Sequence, residues 1–360
     1  MEPTSEAPAE RSRPSELLWN RGLEEVAHLI VDVHGDECTR VADTRVRVLS
    51  VHRTLANVMI IPLERLETVL LAGAAGDGIG GSFEGQCPDP ERRLPAPPWR
   101  VSDDTRMTFA TCRGIARSNP VDPAIIASEY LEQFRVGLPG VGSSTLKAMR
   151  DLAAGQHWAL AGAQGEYAAG NGAAMRIAPL AFFGDVGDAS FARLVRDVAS
   201  ITHRNDEAIT GAIAVVSGLQ RVAVLQPRKA ILTSLIDDLP DTALSDSLAA
   251  LVALPEDADA LDAATLIGTS GRTAQSVALA LFIGCAPSSI DIAIRDALRC
   301  GGDTDTIASI AAQMRAASGA ELPPEWRHHL PTDEVRNLSA SLVHREERRT
   351  TPRRRRWGFF

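Results

Sequence analysis

Aromatic side chains are scarce in this sequence: they make up 4% of its 360 residues, whereas hydrophobic residues make up 45%. β-Sheet proteins draw on aromatic and β-branched side chains, so this composition favours a helical protein with small, closely packed side chains. A long apolar run is also missing, because the longest, at residues 277–285, is too short to cross a bilayer. Basic residues are not in excess, since the net charge is −9. We therefore expect an all-α protein with no membrane partner, and a nucleic-acid partner is not favoured.

Paired cysteines are absent as well. The cysteines are odd in number and contain no CxxC pair; they are Cys38, Cys87, Cys112, Cys285 and Cys300. This pattern suits reduced thiols and argues against a structural zinc site. Residues 1–14 are polar and lack the apolar stretch of a signal peptide, so we expect a cytoplasmic protein.

Carboxylates and hydroxyls are concentrated in one stretch near the C-terminal end, Gly301-Gly302-Asp303-Thr304-Asp305-Thr306. The two glycines allow a tight turn, and the apolar spacing that follows predicts a buried helix starting at this point. One side chain is enough to cap a helix, and two carboxylates about 4 Å apart repel by roughly 4 kcal/mol at an effective dielectric near 20. A bound cation would remove that repulsion. Helix capping remains the alternative.

A second stretch of the same kind, Ser102-Asp103-Asp104-Thr105, follows a proline-rich loop at residues 88–98. It also precedes a predicted helix, at about residues 106–116, and it again contains more carboxylates than a cap requires. Two such stretches can complete one cage of oxygen ligands. Oxygen ligands suit Mg²⁺ or Mn²⁺, whereas Zn²⁺ would call for histidine or cysteine.

Glycine-rich stretches occur three times. After a predicted helix at residues 63–71, six glycines between residues 73 and 85 predict a loop, either a ligand-binding loop or a flexible turn. Its spacing is not that of a Rossmann site. Residues 137–145 predict either a phosphate-binding loop at a helix start or an ordinary interhelical loop. Residues 165–172 predict a third loop.

The remaining segments carry weaker signals. His203 follows a predicted amphipathic helix and is interpreted as a capping or structural residue. Residues 205–298 are predicted to be helices with nothing catalytic, and the charged end from about Arg345 is predicted to be disordered. Near the other end, the alternation at residues 45–48 hints at a strand.

Taken together, the motifs resemble the ADP-ribosylglycohydrolase family over about residues 63–326. The resemblance rests on several short motifs in the family's order: Gly76-Asp77 with Glu84, Ser102-Asp103-Asp104-Thr105, Gly170-Asn171-Gly172 with Met175-Arg176, Thr202-His203, and Gly301-Gly302-Asp303-Thr304-Asp305-Thr306. It implies an all-α fold with a centre of two Mg²⁺ or Mn²⁺ ions in a cleft. One departure is the helix after Thr306, which has no glycine at residues 311–314, where many members have one for close helix contact.

The resemblance also implies a role for particular residues. The implied metal ligands are Ser102, Asp103, Asp104, Asp303, Asp305 and Thr306. Gly140, Val141, Gly142 and Ser143 would form the turn that binds a diphosphate, and Asn171 would lie in the loop that contacts a ribose. Glu84 would sit on a mobile loop beside the ions, and either Glu84 or Asp303 would relay a proton during hydrolysis at the anomeric carbon.

The expected organisation is an N-terminal appendage of mixed or uncertain structure at residues 1–62, with about the first 15 disordered. A helical domain at residues 63–330 and a charged tail at residues 331–360 follow. The expected activity is release of ADP-ribose from a modified protein or another conjugate, with the linkage left open. One alternative is an immunity-type protein that blocks an ADP-ribosyltransferase through residues 1–62, with or without hydrolysis. A catalytically idle relative would have lost an aspartate, and a terpenoid synthase would need a further acid at Met107.

Overall fold

The computed structural model describes residues 61–224 and 227–350, and in these ranges the chain is built from helices. The first α-helices are α1 (Leu66–Gly80), α2 (Asp103–Arg117), α3 (Pro123–Val136), α4 (Ser143–Ala153), α5 (Trp158–Ala161), α6 (Ala189–Ser200) and α7 (Asp206–Val222). They are followed by α8 (Arg228–Asp238), α9 (Ala243–Val252), α10 (Ala260–Ile267), α11 (Thr273–Gly284), α12 (Ile290–Cys300), α13 (Thr304–Ala317) and α14 (Thr332–Thr350).

Short 3₁₀ helices occupy several of the connections: Leu63–Arg65, Glu166–Ala168, Asn171–Ala173, Ala178–Phe182 and Pro324–His329. The described ranges contain no β-strand and only two isolated bridges, Ala163 with His203 and Gly170 with Arg272. The predicted all-α fold is confirmed. The appendage predicted for residues 1–62, with its strand at 45–48, lies outside the described residues except for its last two positions. No helix in the described ranges has both the length and the apolar character needed to span a bilayer.

Helices α1 and α13 form the centre of the fold and pack against each other. Every residue of α13 is buried, and so is every residue of α1 except Glu67. Burial on all sides means that both helices are surrounded by other helices. Helix α13 also contacts α2, α7, α11 and α12, and α1 also contacts α2, α12 and α14. The ends of this central pair therefore fix the position of whatever follows them.

The glycine-rich stretch predicted as a loop at residues 73–85 is helical as far as Gly80, so this prediction is wrong for its first eight residues. A Cβ added to Gly76 would lie 2.5 Å from the Ser309 backbone nitrogen, and one added to Gly80 would lie 2.6 Å from the Asp305 Cα. Glycine costs about 1 kcal/mol relative to alanine inside a helix. Here that cost is offset because the two helix backbones approach more closely than any side chain would allow. Many family members are expected to make this close contact through a glycine on the helix after Thr306, which is α13 here. In this chain the glycines lie on α1 instead.

The turn before α13 behaves as predicted. Gly301 and Gly302 have φ values of 68° and 74°, which side-chain-bearing residues rarely adopt. The Gly302 N–H donates to the Gln86 carbonyl (2.9 Å), and its carbonyl accepts from the Gly85 N–H (2.7 Å). The turn thereby ties the start of α13 to the loop between α1 and α2, which carries Glu84.

The C-terminal segment differs from the prediction. Residues 332–350 form α14, which packs on α1 and α2 through the buried side chains of Val335 and Leu342. Arg345 is only 4% exposed, and its Nε donates to the Ser118 carbonyl at 2.8 Å. The predicted disordered end is therefore wrong for residues 345–350. An apolar stripe with helical spacing runs through the charged sequence, and it is enough to dock the helix.

Candidate active site

A cleft of about 260 Å³ opens where α2, α4 and α13 begin and the loop after α1 passes. Most residues selected from the sequence line it: Glu84, Asp103, Asp104, Gly140, Gly142, Ser143, Asn171, Asp303, Asp305 and Thr306. Ser102 and Val141 are not among the lining residues. The fold thus brings together segments that are more than two hundred residues apart in sequence. Three helix N-termini at one cleft also supply a positive field that favours anionic groups there.

The capping alternative accounts for Ser102 and for one oxygen of Asp305, Oδ1, which accepts from the Thr306 N–H at 2.8 Å. Ser102 is the N-cap of α2, and its Oγ accepts from the Asp104 N–H at 3.1 Å. Asp303 occupies the N-cap position of α13 but makes no capping hydrogen bond with its side chain. The side chains of Asp103 and Asp104 are therefore not needed to begin α2. Capping does not explain why carboxylates are concentrated here.

Burial and mutual repulsion perturb these carboxyl groups strongly. Burial, followed by the charge of Asp305, raises the pKa of both Asp104 and Asp303 well above its usual range. Burial and the charges of Asp77 and Asp305 raise the pKa of Asp103 to about 7. The cluster thus favours either bound protons or a bound cation that neutralises it.

The oxygen atoms of the cluster fit a divalent cation. Asp104 Oδ1 is buried and has no hydrogen-bond partner within the described part of the chain, which is costly unless something else binds it. Glu84, Asp303 and Asp305 each offer a carboxylate oxygen within 4.8 Å of the others. Thr306 Oγ1 donates to Asp104 Oδ2 at 3.4 Å and so links α13 to α2. A set made only of oxygen donors matches the preference of Mg²⁺ or Mn²⁺.

Asp77 is a further buried carboxylate behind the cluster, and no role was predicted for it from the sequence. Its oxygens accept from the Ser102 N–H (2.9 Å), the Thr105 N–H (3.1 Å) and the Thr105 hydroxyl (2.5 Å). Burial raises its pKa to about 6, although these donors act in the opposite direction. Asp77 therefore anchors the start of α2 to α1 and orients the carboxylates that follow. An ionisable residue inside an apolar, glycine-rich stretch was the signal available for it.

Asn171 connects the segment at residues 170–172 to the acidic cluster. Both protons of its side-chain amide are used: one is donated to Ser276 Oγ (2.9 Å) and the other to Asp303 Oδ2. Ser276 Oγ in turn donates to the Arg272 carbonyl at 3.1 Å, which fixes the direction of the chain of hydrogen bonds. The Asn171 N–H donates to the Gly271 carbonyl at 3.0 Å. Asn171 thus orients Asp303 and keeps its own Oδ1 as an acceptor.

The loop before α4 lies directly beside the cluster. The Asp103 N–H donates to the Pro139 carbonyl at 3.1 Å, and a Cβ on Gly140, whose φ is 83°, would lie 3.0 Å from Asp103 Oδ1. Helix α4 begins at Ser143 without a side-chain cap. Since Ser143, Ser144 and Thr145 line the cleft, the first-turn N–H groups of α4 are placed to bind an anion there.

Glu84 is exposed at the rim of the cleft. The charge of Asp305, followed by burial, raises its pKa. Its loop is held by Arg92, whose guanidinium donates to the Leu298 carbonyl (2.8 Å) and the Cys87 carbonyl (2.7 Å) and lies 5.0 Å from the centroid of the Phe83 ring. Glu84 is thus fixed close to the cluster while it stays in contact with solvent.

The cleft also contains residues that were not selected from the sequence. His203 was interpreted as a capping or structural residue, but it lines the cleft and is 3% exposed. Burial, together with the nearby Arg176 charge, lowers its pKa to about 3, so the imidazole is neutral. Gly271 lies in the segment predicted to be free of catalytic residues, and Tyr167, 95% exposed, stands at the cleft. Neither is marked by a local sequence pattern, because only the fold places them here.

Comparison with known proteins places the chain in a family. The family model for ADP-ribosylglycohydrolase matches residues 60–352. An uncharacterized protein of Archaeoglobus fulgidus is 25% identical over 281 residues, which cover 73% of this chain and 90% of the relative. Uncharacterized protein YegU of Escherichia coli K12 is 29% identical over 251 residues, covering 60% of this chain and 70% of the relative. A solved structure described as an ADP-ribosylglycohydrolase-related protein complex is similar with a TM-score of 0.61 and 25% identity, covering 79% of this chain and 98% of that chain. Because the family model matches most of its length, the chain belongs to the ADP-ribosylglycohydrolase family.

Proposed function

We propose that this chain is a metal-dependent hydrolase that removes ADP-ribose from a modified protein or another ADP-ribosyl conjugate. The observation that carries the proposal is Asp104 Oδ1, a buried carboxylate oxygen without a partner among the described residues, at the centre of an acidic cluster in a member of this family. A pair of Mg²⁺ or Mn²⁺ ions would be held by Ser102, Asp103, Asp104, Asp303, Asp305 and Thr306. Ser102 stays in this set because its hydroxyl oxygen has a second lone pair besides the one used for capping.

The rest of the cleft supports a nucleotide-sugar ligand. The uncapped first turn of α4, at Ser143, together with the preceding residues Gly140, Val141 and Gly142, would bind the diphosphate through backbone N–H groups. The free Oδ1 of Asn171 would accept a hydrogen bond from a ribose hydroxyl. The exposed ring of Tyr167 offers a flat apolar face for a base.

Hydrolysis breaks the bond between the anomeric carbon and the leaving atom, while a water oxygen bonds to that carbon. One water proton must be accepted, and the leaving group must receive one. When bound, the ions supply positive charge that favours an ionised oxygen nucleophile and hold neighbouring hydroxyls. Glu84 takes up the water proton, because it combines a raised pKa with contact to solvent, and returns a proton to the leaving group, so that one water is added overall. Asp303, oriented by Asn171, faces the positive charge that develops on the ribose ring.

A panel of ADP-ribosyl conjugates tests this proposal. The panel contains arginine, serine, nucleic-acid base and small-molecule linkages, each incubated with Mg²⁺, Mn²⁺ or a chelator, and free ADP-ribose is measured. We expect release from at least one conjugate with an ion, none with chelator, and none from Asp104→Asn under any condition. Release from no conjugate with either ion, by protein that melts cooperatively, would overturn the proposal. Equal release in chelator would overturn the metal dependence alone.

A further inference from the structure

Arg176 is a fully buried cation whose hydrogen-bond partners define the direction of a chain of hydrogen bonds. Its Nη1 donates to the Gly172 carbonyl and its Nη2 to Thr202 Oγ1 at 2.5 Å. The guanidinium lies 4.7 Å from the centroid of the Tyr130 ring. A guanidinium only donates hydrogen bonds, so Thr202 Oγ1 must be the acceptor in this contact.

The direction of hydrogen-bond donation continues from Thr202 to His203. The Thr202 hydroxyl oxygen and His203 Nδ1 are 2.7 Å apart, and Thr202 is completely buried. If Nδ1 carried the proton, Thr202 Oγ1 would accept from both neighbours. Its own proton would then have no acceptor among the described residues. The hydroxyl therefore donates to Nδ1, which acts as an acceptor and leaves the single ring proton on Nε2.

The backbone around this pair is held in place by Ala163. The Ala163 N–H donates to the Thr202 carbonyl (2.9 Å), and the Ala163 carbonyl accepts from the Arg204 N–H (2.7 Å). The Nε2 edge of the imidazole faces the Gly170–Gly172 segment: a Cβ on Gly172 would lie 3.3 Å from Nε2 and also 3.3 Å from Thr145 Oγ1. Nε2 is thus turned into the cleft beside the first turn of α4.

We infer that Arg176 and Thr202 are positioning residues that fix His203 in one tautomer, so that its Nε2–H donates to a phosphate oxygen of the bound ligand. With the other tautomer, a lone pair on Nε2 would face the anion and repel it. Burial and the Arg176 charge also keep the imidazole neutral, so the donor remains the same on either side of neutral pH. The identity of the ligand rests on the proposed function, whereas the tautomer does not.

The tautomer can be measured directly in full-length protein labelled with ¹⁵N-histidine. Long-range ¹H–¹⁵N correlation spectra distinguish the two forms, and His203→Gln assigns the His203 signals among those of the eight histidines. We expect wild type to show the proton on Nε2. Thr202→Val, which keeps the shape and removes the hydroxyl, should give a mixture of tautomers and bind ADP-ribose about tenfold more weakly. Thr202→Ser should restore both the tautomer and the affinity. The control is Thr210→Val, at a buried threonine on α7, and it should change neither.

The two readouts fail separately. Wild-type His203 with its proton on Nδ1, or Thr202→Val with an unchanged tautomer, would overturn the inference even if the hydrolase assay succeeds. If the tautomer shifts as expected but adenosine, which has no phosphate, loses as much affinity as ADP-ribose, the assigned phosphate contact is wrong. Absence of hydrolysis across the conjugate panel would contradict the proposed function without affecting the tautomer result.

Discussion

Glu84 shows how an exposed side chain can be central to a buried site. It lies at the rim of the cleft, yet one of its oxygens is within 4.8 Å of carboxylate oxygens of Asp303 and Asp305. Two roles are compatible with this position, namely proton transfer and metal ligation. The two roles predict different results when the Glu84 charge is removed. Loss of a proton carrier leaves the ions bound, whereas loss of a ligand weakens their binding.

We predict that Glu84→Gln lowers kcat by about 10²–10⁴-fold, the usual contribution of a general base, while the stabilisation by Mg²⁺ or Mn²⁺ remains. Turnover of the conjugate found by the panel and melting temperature against ion concentration provide the two measurements. Glu91→Gln, at an exposed glutamate farther along the same loop, makes the same chemical change away from the cleft and serves as the control. If Glu84→Gln loses turnover and metal-dependent stabilisation together, Glu84 is a ligand instead.

His203 gives a prediction about pH and stability. Its pKa is about 3 in the folded protein and 6.5 when the chain is unfolded, so below pH 6.5 the unfolded state binds a proton that the folded state does not. The stabilisation is complete above pH 6.5 and is lost as the pH falls towards 3. Relative to His203→Gln, wild type should lose about 2 kcal/mol of unfolding free energy between pH 7 and pH 5. Urea unfolding of both proteins at each pH checks this, and parallel curves would contradict it.

At the scale of whole elements, the contact between α1 and α13 positions both ends of the acidic cluster. The backbone of α1 at Gly76 meets the backbone of α13 at Ala308 and Ser309 with no room for a side chain. One turn farther along, Gly80 meets Thr304 and Asp305 in the same way. The position of Asp305 is therefore set by glycines on another helix.

Gly76→Ala should destabilise the protein by about 1–3 kcal/mol or more, although alanine is the better helix former, because overpacking outweighs helix propensity here. Gly81→Ala is the control: Gly81 is exposed, has a φ of −57°, and meets only the Asp77 carbonyl at 3.3 Å. Its unfolding free energy should stay within about 1 kcal/mol of wild type. Chemical denaturation of the three proteins provides the comparison, and a Gly76→Ala variant as stable as wild type would show that the helices can separate freely.

A structural feature can be predicted from this sequence when the residues that determine it are neighbours in the chain. The starts of α2 and α13 are predictable because hydroxyls and carboxylates precede a helical pattern of apolar residues. The glycines of α1 are misleading, since the same residues serve a loop or a close helix contact, and only the partner helix distinguishes them. Gly271 has no local pattern of its own, and the short motifs that contain Asp77 and His203 do not indicate what these side chains contact. Their roles come from neighbours that are distant in sequence, so they become visible only in the fold.

For the whole molecule, we predict that residues 60–360 retain the fold and the activity of the full chain. The family match begins at residue 60, and Ile61 is only 1% exposed, so the cut must leave Ile61 in place. Removal of residues 1–59 should leave the melting temperature and the turnover unchanged. An insoluble product would show that these residues belong to the core. Retained turnover with loss of an ADP-ribosyltransferase from a pull-down would support the blocking role predicted for residues 1–62.

The acidic cluster joins the two ends of the domain, and under the proposed function a bound cation would neutralise it at neutral pH. Asp103 and Asp104 lie on α2, and Asp303 and Asp305 lie at the start of α13. Burial and neighbouring charge raise the pKa of Asp103, Asp104 and Asp303, which disfavours their ionised forms. A bound ion should stabilise the folded chain by RT ln(1 + [L]/Kd), about 2.7 kcal/mol at 100 times Kd for one site. We therefore expect the melting temperature to rise as Mg²⁺ or Mn²⁺ is titrated in and to fall again with chelator.

Two substitutions at opposite ends of the domain test whether the two acidic stretches bind the same ions. Asp305→Asn should weaken the ion-dependent rise in melting temperature, and Asp103→Asn should weaken it too although it is about two hundred residues away, because both would hold the same ions. Without added ion, each variant should be at least as stable as wild type, since each removes one charge from a crowded group. Asp291→Asn, on α12 and outside the cleft, should titrate like wild type. If only one of the two cluster variants loses the response, the two acidic stretches do not share a metal cage.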